Sequence, residues 1–260
     1  MRQLTATNHL FATLAVTAAA VAAAFALPAA ADAMTISIYG GDDAKVVGSG
    51  HLVNVSRKVG NFTTLRIDGP IDVEAHPGSN PGVTIHADDN VEPLIETVLE
   101  GDALVVRLKK GASFRTGHDM KVEVEFGTLA ATAQHGSGDL HITTLTAPKL
   151  ESSISGSGDL SIDNLQLGSL SVSVAGSGDV RISGHADSAK YSVAGSGDIS
   201  AGNLAARRVD ISINGSGDAH VNATDAVDAR VAGSGDITIS GHPHDVSRRV
   251  SGSGSIETAN

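Results

Sequence analysis

The chain has no cysteine and no tryptophan, and aromatic residues fill only 3% of its 260 positions. Without cysteine there is no disulfide framework, no thiolate metal site and no lipid anchor carried on a thiol. Few aromatic side chains leave few ring faces of the kind on which sugars and bases stack. Positive charge is scarce as well: 18 Lys and Arg stand against 29 Asp and Glu, for a formal net charge of −11. Such a chain repels phosphate backbones and anionic bilayers, which argues against nucleic acid as a partner. Beyond residue 33 no apolar run is long enough to cross a bilayer. Helical spacing of apolar residues is missing from the whole C-terminal half.

Glycine, by contrast, is abundant and ordered. The tetrapeptide Gly-Ser-Gly-Asp begins at Gly136, Gly156, Gly176, Gly195, Gly215 and Gly233, and a degenerate copy, Gly252-Ser253-Gly254-Ser255, closes the series. The intervals are 20, 20, 19, 20, 18 and 19 residues. A near-constant period marks a stacked repeat, in which each unit buries its apolar face against its neighbours. Two residues before the first glycine stand Ile154, Val174, Val193, Ile213, Val231 and Val250. Four after it stand Leu140, Leu160, Val180, Ile199, Ala219 and Ile237, and six after it Ile142, Ile162, Ile182, Ala201, Val221 and Ile239. Alternate, mostly β-branched positions on both sides of a glycine turn describe short strands meeting at a corner. Nine after it, Leu145, Leu165 and Leu204 continue the pattern, while His185, Thr224 and His242 break it.

The fold read from this is all-β, a parallel β-helix with coils of 18–20 residues over 131–255. A right hand follows from the general preference of parallel crossovers. The glycines need no ligand to explain them, because a sharp corner between close-stacked rungs leaves no room for a Cβ. No helix follows them, so no helix N-terminus is present to cradle a phosphate.

Residues 1–33 read as a secretory signal peptide: Arg2, an apolar run from Leu10 to Leu27, and small residues at Ala31-Asp32-Ala33. The run is somewhat long, as for an uncleaved anchor, but its alanine richness and the small-residue site favour cleavage. Removing 33 of 260 residues leaves 227, with the charge unchanged because Arg2 and Asp32 cancel. The remaining 34–260 are expected to form a single β-helical domain without a transmembrane anchor. Within it, residues 34–130 are strand-rich but irregular. Leu65–Asp68, Ile71–Glu74, Val83–His86, Ala103–Leu108 and Val122–Phe126 alternate or run apolar, with turns at Gly69-Pro70, Pro77-Gly78, Pro81-Gly82 and Gly101-Asp102. A short helical turn capped by Asp or Asn is expected near 89–95. This stretch is read as covering the first regular coil, whose strand edges would otherwise lie open.

Gly48-Ser49-Gly50 through Val55-Ser56-Arg57, Phe62–Ile67, Asp72-Val73-Glu74, Ala87–Val91 and Ile95-Glu96-Thr97, followed by the Gly-Ser-Gly-Asp series, resemble the GIN-domain family over about residues 48–255. These are exported bacterial proteins described as candidate heads of auto-transporter adhesins, with no catalytic residues to carry over. The resemblance implies a β-helical fold and a cell-envelope location.

Asp139, Asp159, Asp179, Asp198, Asp218 and Asp236 each precede an inward position and so point outward. Stacked rungs would set them ~5 Å apart, where like charges repel by about 0.8 kcal/mol per pair even in water. Two arrangements relieve this. Each carboxylate caps amides of its own corner, or the row shares cations such as calcium. The motif departs from calcium-binding nonapeptide rolls in spacing and in period. His242-Pro243-His244, His135 and His141 lack a third ligand for zinc. Ser177, flanked by glycines, is not on a strand-to-helix elbow. No cofactor is implied.

Three functions stay open. The first is a non-catalytic exported protein, in the periplasm, on the outer-membrane surface or outside the cell, that binds an envelope or extracellular ligand. The second is a self-associating structural element, since the stack can continue between chains. The third is a glycan-active β-helix enzyme, for which a cleft with clustered acids and bases would speak.

Overall fold

Buried side chains advance along each coil in steps of two, broken by steps of three. The computed structural model describes residues 45–259, so the signal segment at 1–33 and its cleavage site lie outside the described residues. In the strand β11 (Leu140–Gly156) the inward positions are Leu140 and Ile142, then Leu145 and Ala147, then Leu150, Ser152 and Ile154. A step of three in a period-2 strand puts the same side inward only if the chain bends. Each coil therefore has three short faces, with bends near 143–144 and 148–149 and the glycine corner closing the circuit.

The same circuit recurs in β12 (Leu160–Gly176), β13 (Val180–Gly195), β14 (Ile199–Gly215) and β15 (Ala219–Gly233), each paired in parallel with the next. Ile154, Val174, Val193, Ile213 and Val231 stack in one column, and all are buried. The columns of Leu140 and Ile142 behave likewise, so the expected aliphatic ladders are present. Coils of unequal length absorb the difference away from the glycine corner. Registers shift between Ile162 and Leu165 and between Ala201 and Ala205, near the positions where His185 and Thr224 break the pattern. In the first regular coil, β10 (Ala131–Gly136) places Thr132 and Gln134 inward. There Thr132 Oγ1 bonds Ser152 Oγ at 2.8 Å, and Gln134 Nε2 donates to the carbonyls of Gly138 and Asp159 at 3.2 and 2.9 Å.

The N-terminal strands belong to the same 16-stranded sheet but are not stacked in sequence order. One coil is made by β3 (Thr64–Asp68) and β4 (Val73–Pro77), beneath β10 and β11. The chain then leaves through β5 (Gly82–Asp88), a 3₁₀ turn at Glu92–Leu94 and β6 (Ile95–Glu100). It returns as β7 (Ala103–Leu108) and β9 (Lys121–Phe126), which pair in parallel with β3 and β4 on their far side. To reach β10 it must cross back, and the amides of Ala130 and Ala131 are held there by the Thr63 carbonyl at 2.8 and 3.1 Å. Antiparallel pairs end the stack: β6 on β7, and β2 (Leu52–Lys58) on β5, which itself pairs antiparallel with β9. The strands β1 (Lys45–Val47) and β8 (Ser113–Arg115) form a separate parallel pair. At the other end lie β16 (Ile237–Ser240), β17 (Asp245–Gly252) and β18 (Ile256–Thr258).

Three expectations need correction. The strand expected from Ile71 starts at Val73, because Ile71-Asp72 are the second half of a corner. The turn at Glu92–Leu94 has no side-chain cap. Asn90 instead accepts the Ser49 amide at 3.0 Å and donates to the Val47 carbonyl at 2.8 Å, tying β1 to this loop. Val250, in an inward column, is 45% exposed because none of the described strands stacks beyond it.

Candidate functional site

The corner explains its own composition. Gly156, Gly176 and Gly195 have φ of 137°, 140° and 142°, and a Cβ on Gly176 would lie 2.0 Å from the Gly156 carbonyl oxygen. On Gly178 it would lie 2.2 Å from the Gly158 oxygen. That close approach exists because the Gly156 carbonyl accepts the Ser177 amide at 2.9 Å, a bond repeated at Gly136, Gly176, Gly195, Gly215 and Gly233. Ser177 is exposed and serves the corner through its backbone.

The aspartates form a continuous chain of caps, but not within their own corners as the sequence led us to expect. Oδ1 of Asp139 accepts the amide of Asp159 at 2.8 Å, Asp159 that of Asp179 at 2.8 Å, and Asp179 that of Asp198 at 3.0 Å. Asp198 caps Asp218 at 2.7 Å, and Asp218 caps Asp236 at 2.8 Å. Backbone N–H groups in a parallel stack point along the axis, so the reachable amide belongs to the neighbouring coil. Each carboxylate therefore crosslinks two coils. A hydrogen bond to a charged acceptor contributes roughly 1.5–3 kcal/mol, more than the about 0.8 kcal/mol of repulsion between neighbours. Arg181 adds a counter-charge 3.6 Å from both Asp159 and Asp179.

The row has one further member, hidden from the repeat's period. Asp72 caps the Asp139 amide at 3.0 Å, and Gly69, with φ 111°, lies under Gly136. Gly69-Pro70-Ile71-Asp72 keeps the spacing of glycine to aspartate, but Pro and Ile hide it from a search for Gly-Ser-Gly-Asp. At the far end the Ser255 amide and hydroxyl bond Asp236 Oδ1 at 2.7 and 2.9 Å. Histidines pair with single acids: His135 with Asp68 at 2.9 Å and His141 with Asp163 at 2.7 Å. Among the described residues no three His, Asp or Glu side chains are grouped as a cation site.

Two outer surfaces remain. On the flank, Ser153, Ser173, Ser192 and Ser212 stack in one outward column that continues into Arg230, with Ala175 and Ala194 on one side and Ser171, Lys190 and Asp210 on the other. The second is a polar cleft of about 570 Å³ over the outer face of β2, β5, β9 and β4. Its floor is two cross-strand rows, Lys58–Gly82–Glu125–His76 and Ser56–Thr84–Glu123. Lys121, at 3.1 Å, and His86, at 3.4 Å, hold the Glu123 carboxyl below its ordinary range against the cost of burial. Glu125 accepts the Asn80 amide at 2.7 Å, which folds the β4–β5 turn against the cleft. Sequence reading could not assemble these residues, because their pairing crosses four strands out of chain order.

The family described as "Putative auto-transporter adhesin, head GIN domain" matches residues 61–243. The chain belongs to this family. Among solved structures, this GIN-domain protein is 30% identical to a "putative adhesin" of Bacteroides fragilis, with a TM-score of 0.79, covering 82% of this chain and 100% of that one. A "putative adhesin" of Parabacteroides distasonis is 27% identical, with a TM-score of 0.68, over 83% and 100% of the two chains. From the same species, a "putative lipid binding protein" is 26% identical at a TM-score of 0.67, with the same coverage. No curated protein matches the chain.

Proposed function

We propose that this GIN-domain protein is an exported, non-catalytic component of the cell envelope or cell surface that presents its solenoid flank to an envelope or extracellular partner, as an adhesin does. The observation that carries the reading is how the repeated polar groups are spent. The corner aspartates crosslink coils, and the corner amides bind the preceding coil. What the repeats leave outward on this flank is a column of serines beside Ala175 and Ala194, bordered by Lys190, Asp210 and Arg230, a polar surface suited to contact with a partner. The family and the neighbours described as adhesins support the same role.

Fractionation of the native cells, with antibody labelling of intact cells, tests the location; retention in the cytoplasm would contradict the proposal. Binding of the purified protein to cells or matrix should fall when Ser173, Ser192 and Ser212 are replaced by Gln, which adds bulk without stacking like charges, with melting unchanged. A second reading, a glycan-active enzyme, rests on the cleft with Lys58, His76, Glu123 and Glu125. Polysaccharide turnover that is lost in Glu125→Gln would establish it.

A further inference from the structure

The cleft over β2, β5, β9 and β4 owes its open floor to one residue. Gly82 stands in the row between Lys58 and Glu125, with these two on its antiparallel partners β2 and β9. Nothing in the fold asks for glycine there. Its φ lies outside the left-handed region, and a Cβ would meet only the Asn80 and Arg57 carbonyls, at ordinary contact distances of 3.5 and 3.6 Å. Glycine weakens a strand, and one that sterics do not require marks a place where another molecule comes close to the backbone. Gly78 is the opposite case. A Cβ on it would lie 2.1 Å from Glu125 Oε1, so glycine lets that side chain fold against the β4–β5 turn.

Several polar groups of the cleft are already engaged. Arg57 is paired with Glu92 and donates to the Ile95 carbonyl at 2.7 Å. Glu123 is paired with Lys121, and Oε1 of Glu125 takes the Asn80 amide. What lines the open floor is the Lys58 ammonium, the second oxygen of Glu125, and the Ser56 and Thr84 hydroxyls, 3.2 Å apart. A ligand must then bring an anionic group for Lys58 and a donor for Glu125. A fully ionised inorganic anion has the first and not the second. Lys58 and Glu125 are two strand spacings apart, roughly 10 Å between backbones, a gap that two long side chains narrow to the width of a sugar ring. None of the residues lining the cleft is aromatic, so recognition rests on hydrogen bonds and charge over a flat glycine floor.

We infer that this cleft is a binding site for an acidic saccharide, whose carboxylate pairs with Lys58 and whose hydroxyls donate to Glu125 while the ring lies over Gly82. The sugar is held and not cleaved. Both carboxyls accept donors of the protein, Glu123 from Lys121 and Glu125 from the Asn80 amide, which suits binding and not protonation of a leaving group. The site lies in the N-terminal layer, apart from the serine flank, so its failure would leave the flank reading standing.

Calorimetric titration of the full chain with oligosaccharides of galacturonate, glucuronate and sialic acid, each beside its methyl ester, tests this. At least one acid should bind, and its uncharged ester should bind at least about tenfold more weakly, as loss of a charge-assisted hydrogen bond implies. Lys58→Met should weaken the acid to the level of the ester, and Lys58→Arg should retain binding. Gly82→Val should abolish binding while melting stays at or above that of wild type, because a β-branched residue suits the strand. Should that variant fold poorly, Gly82→Ala should still weaken binding. Replacing Ser173, Ser192 and Ser212 by Gln should leave saccharide binding unchanged. The inference is overturned if none of the three acids binds, if acid and ester bind equally, or if Gly82→Val both melts and binds like wild type. Release of new reducing ends would overturn it as well, in favour of the enzyme.

Discussion

Between residues 131 and 252 each coil repeats one solution: aliphatic columns inside, a glycine corner, and an aspartate that reaches to the next coil. Between residues 52 and 126 only the Gly69–Asp72 corner keeps that solution, and ion pairs join the strands as well. Arg66 joins Asp68 and Glu100 at 3.1 and 2.8 Å, and Arg107 joins Glu96 and Glu100 at 3.1 and 3.0 Å, across β3, β7 and β6. Strands reverse direction there, and a coil late in sequence lies outside an earlier one. The difference shows what repetition supplies. Identical neighbours let one aspartate cap the same corner amide in every coil, whereas the unique terminal layer adds ion pairs between its strands. It also shows that the first coils finish on antiparallel strands, which repetition does not supply.

The largest effect should come from breaking the repeat's core. Val174→Asp places a carboxylate between Ile154 and Val193 and is expected to cost upwards of about 4 kcal/mol. Chemical denaturation with a midpoint equal to wild type would end the inward assignment. Next comes a glycine from each region. Gly176→Ala drives a Cβ into the Gly156 carbonyl at positive φ, for roughly 2–4 kcal/mol. Gly101→Ala, in the β6–β7 hairpin, also has positive φ (66°) but meets nothing within 4 Å. It should cost only about 1 kcal/mol. Equal losses at the two sites would show that stacking distance is not what demands glycine in the repeats.

Smaller effects sharpen the account of the caps. Asp179→Ala leaves the Asp198 amide without an acceptor and should cost about 1 kcal/mol, while Asp179→Asn keeps an acceptor and should cost less than half of that. Smallest in neutral solution is Tyr191→Phe. Tyr191 is buried in an inward column, and its hydroxyl has no partner among the described residues. Burial pushes the phenol above its ordinary value of 10. A raised phenol pKa contributes stability that is intact below pH 10 and is lost as pH rises beyond it, because the unfolded chain ionises first. Phe should leave neutral stability unchanged or raise it by up to about 1 kcal/mol. It should also flatten the alkaline loss seen in a melting series above pH 10.

The columns through Val174, Val180 and Ile182 were legible in the sequence because seven copies of one pattern test the same reading repeatedly. Asp72 was not, since its corner keeps only the outer letters of the motif. The direction of the aspartate caps was also hidden: the sequence shows a side chain near a corner, but the choice of amide depends on how the coils stack. Lys58, His76 and Glu125 meet only through the pairing of β2, β5, β9 and β4, which no local pattern encodes. Val250 occupies an inward position by pattern, yet its burial depends on a strand stacked beyond it, and none of the described residues supplies one.

The claim at the centre is that the aspartate row is a structural zipper, each carboxylate holding an amide of the next coil, and not a calcium site. Amide hydrogen exchange at Asp198, resolved by NMR in wild type and in Asp179→Ala with and without calcium, tests it directly. The account expects slow exchange in wild type, indifferent to calcium, and much faster exchange at Asp198 in the Ala variant. An Asp198 amide that exchanges equally in both proteins, with protection that appears only when calcium is added, would contradict it.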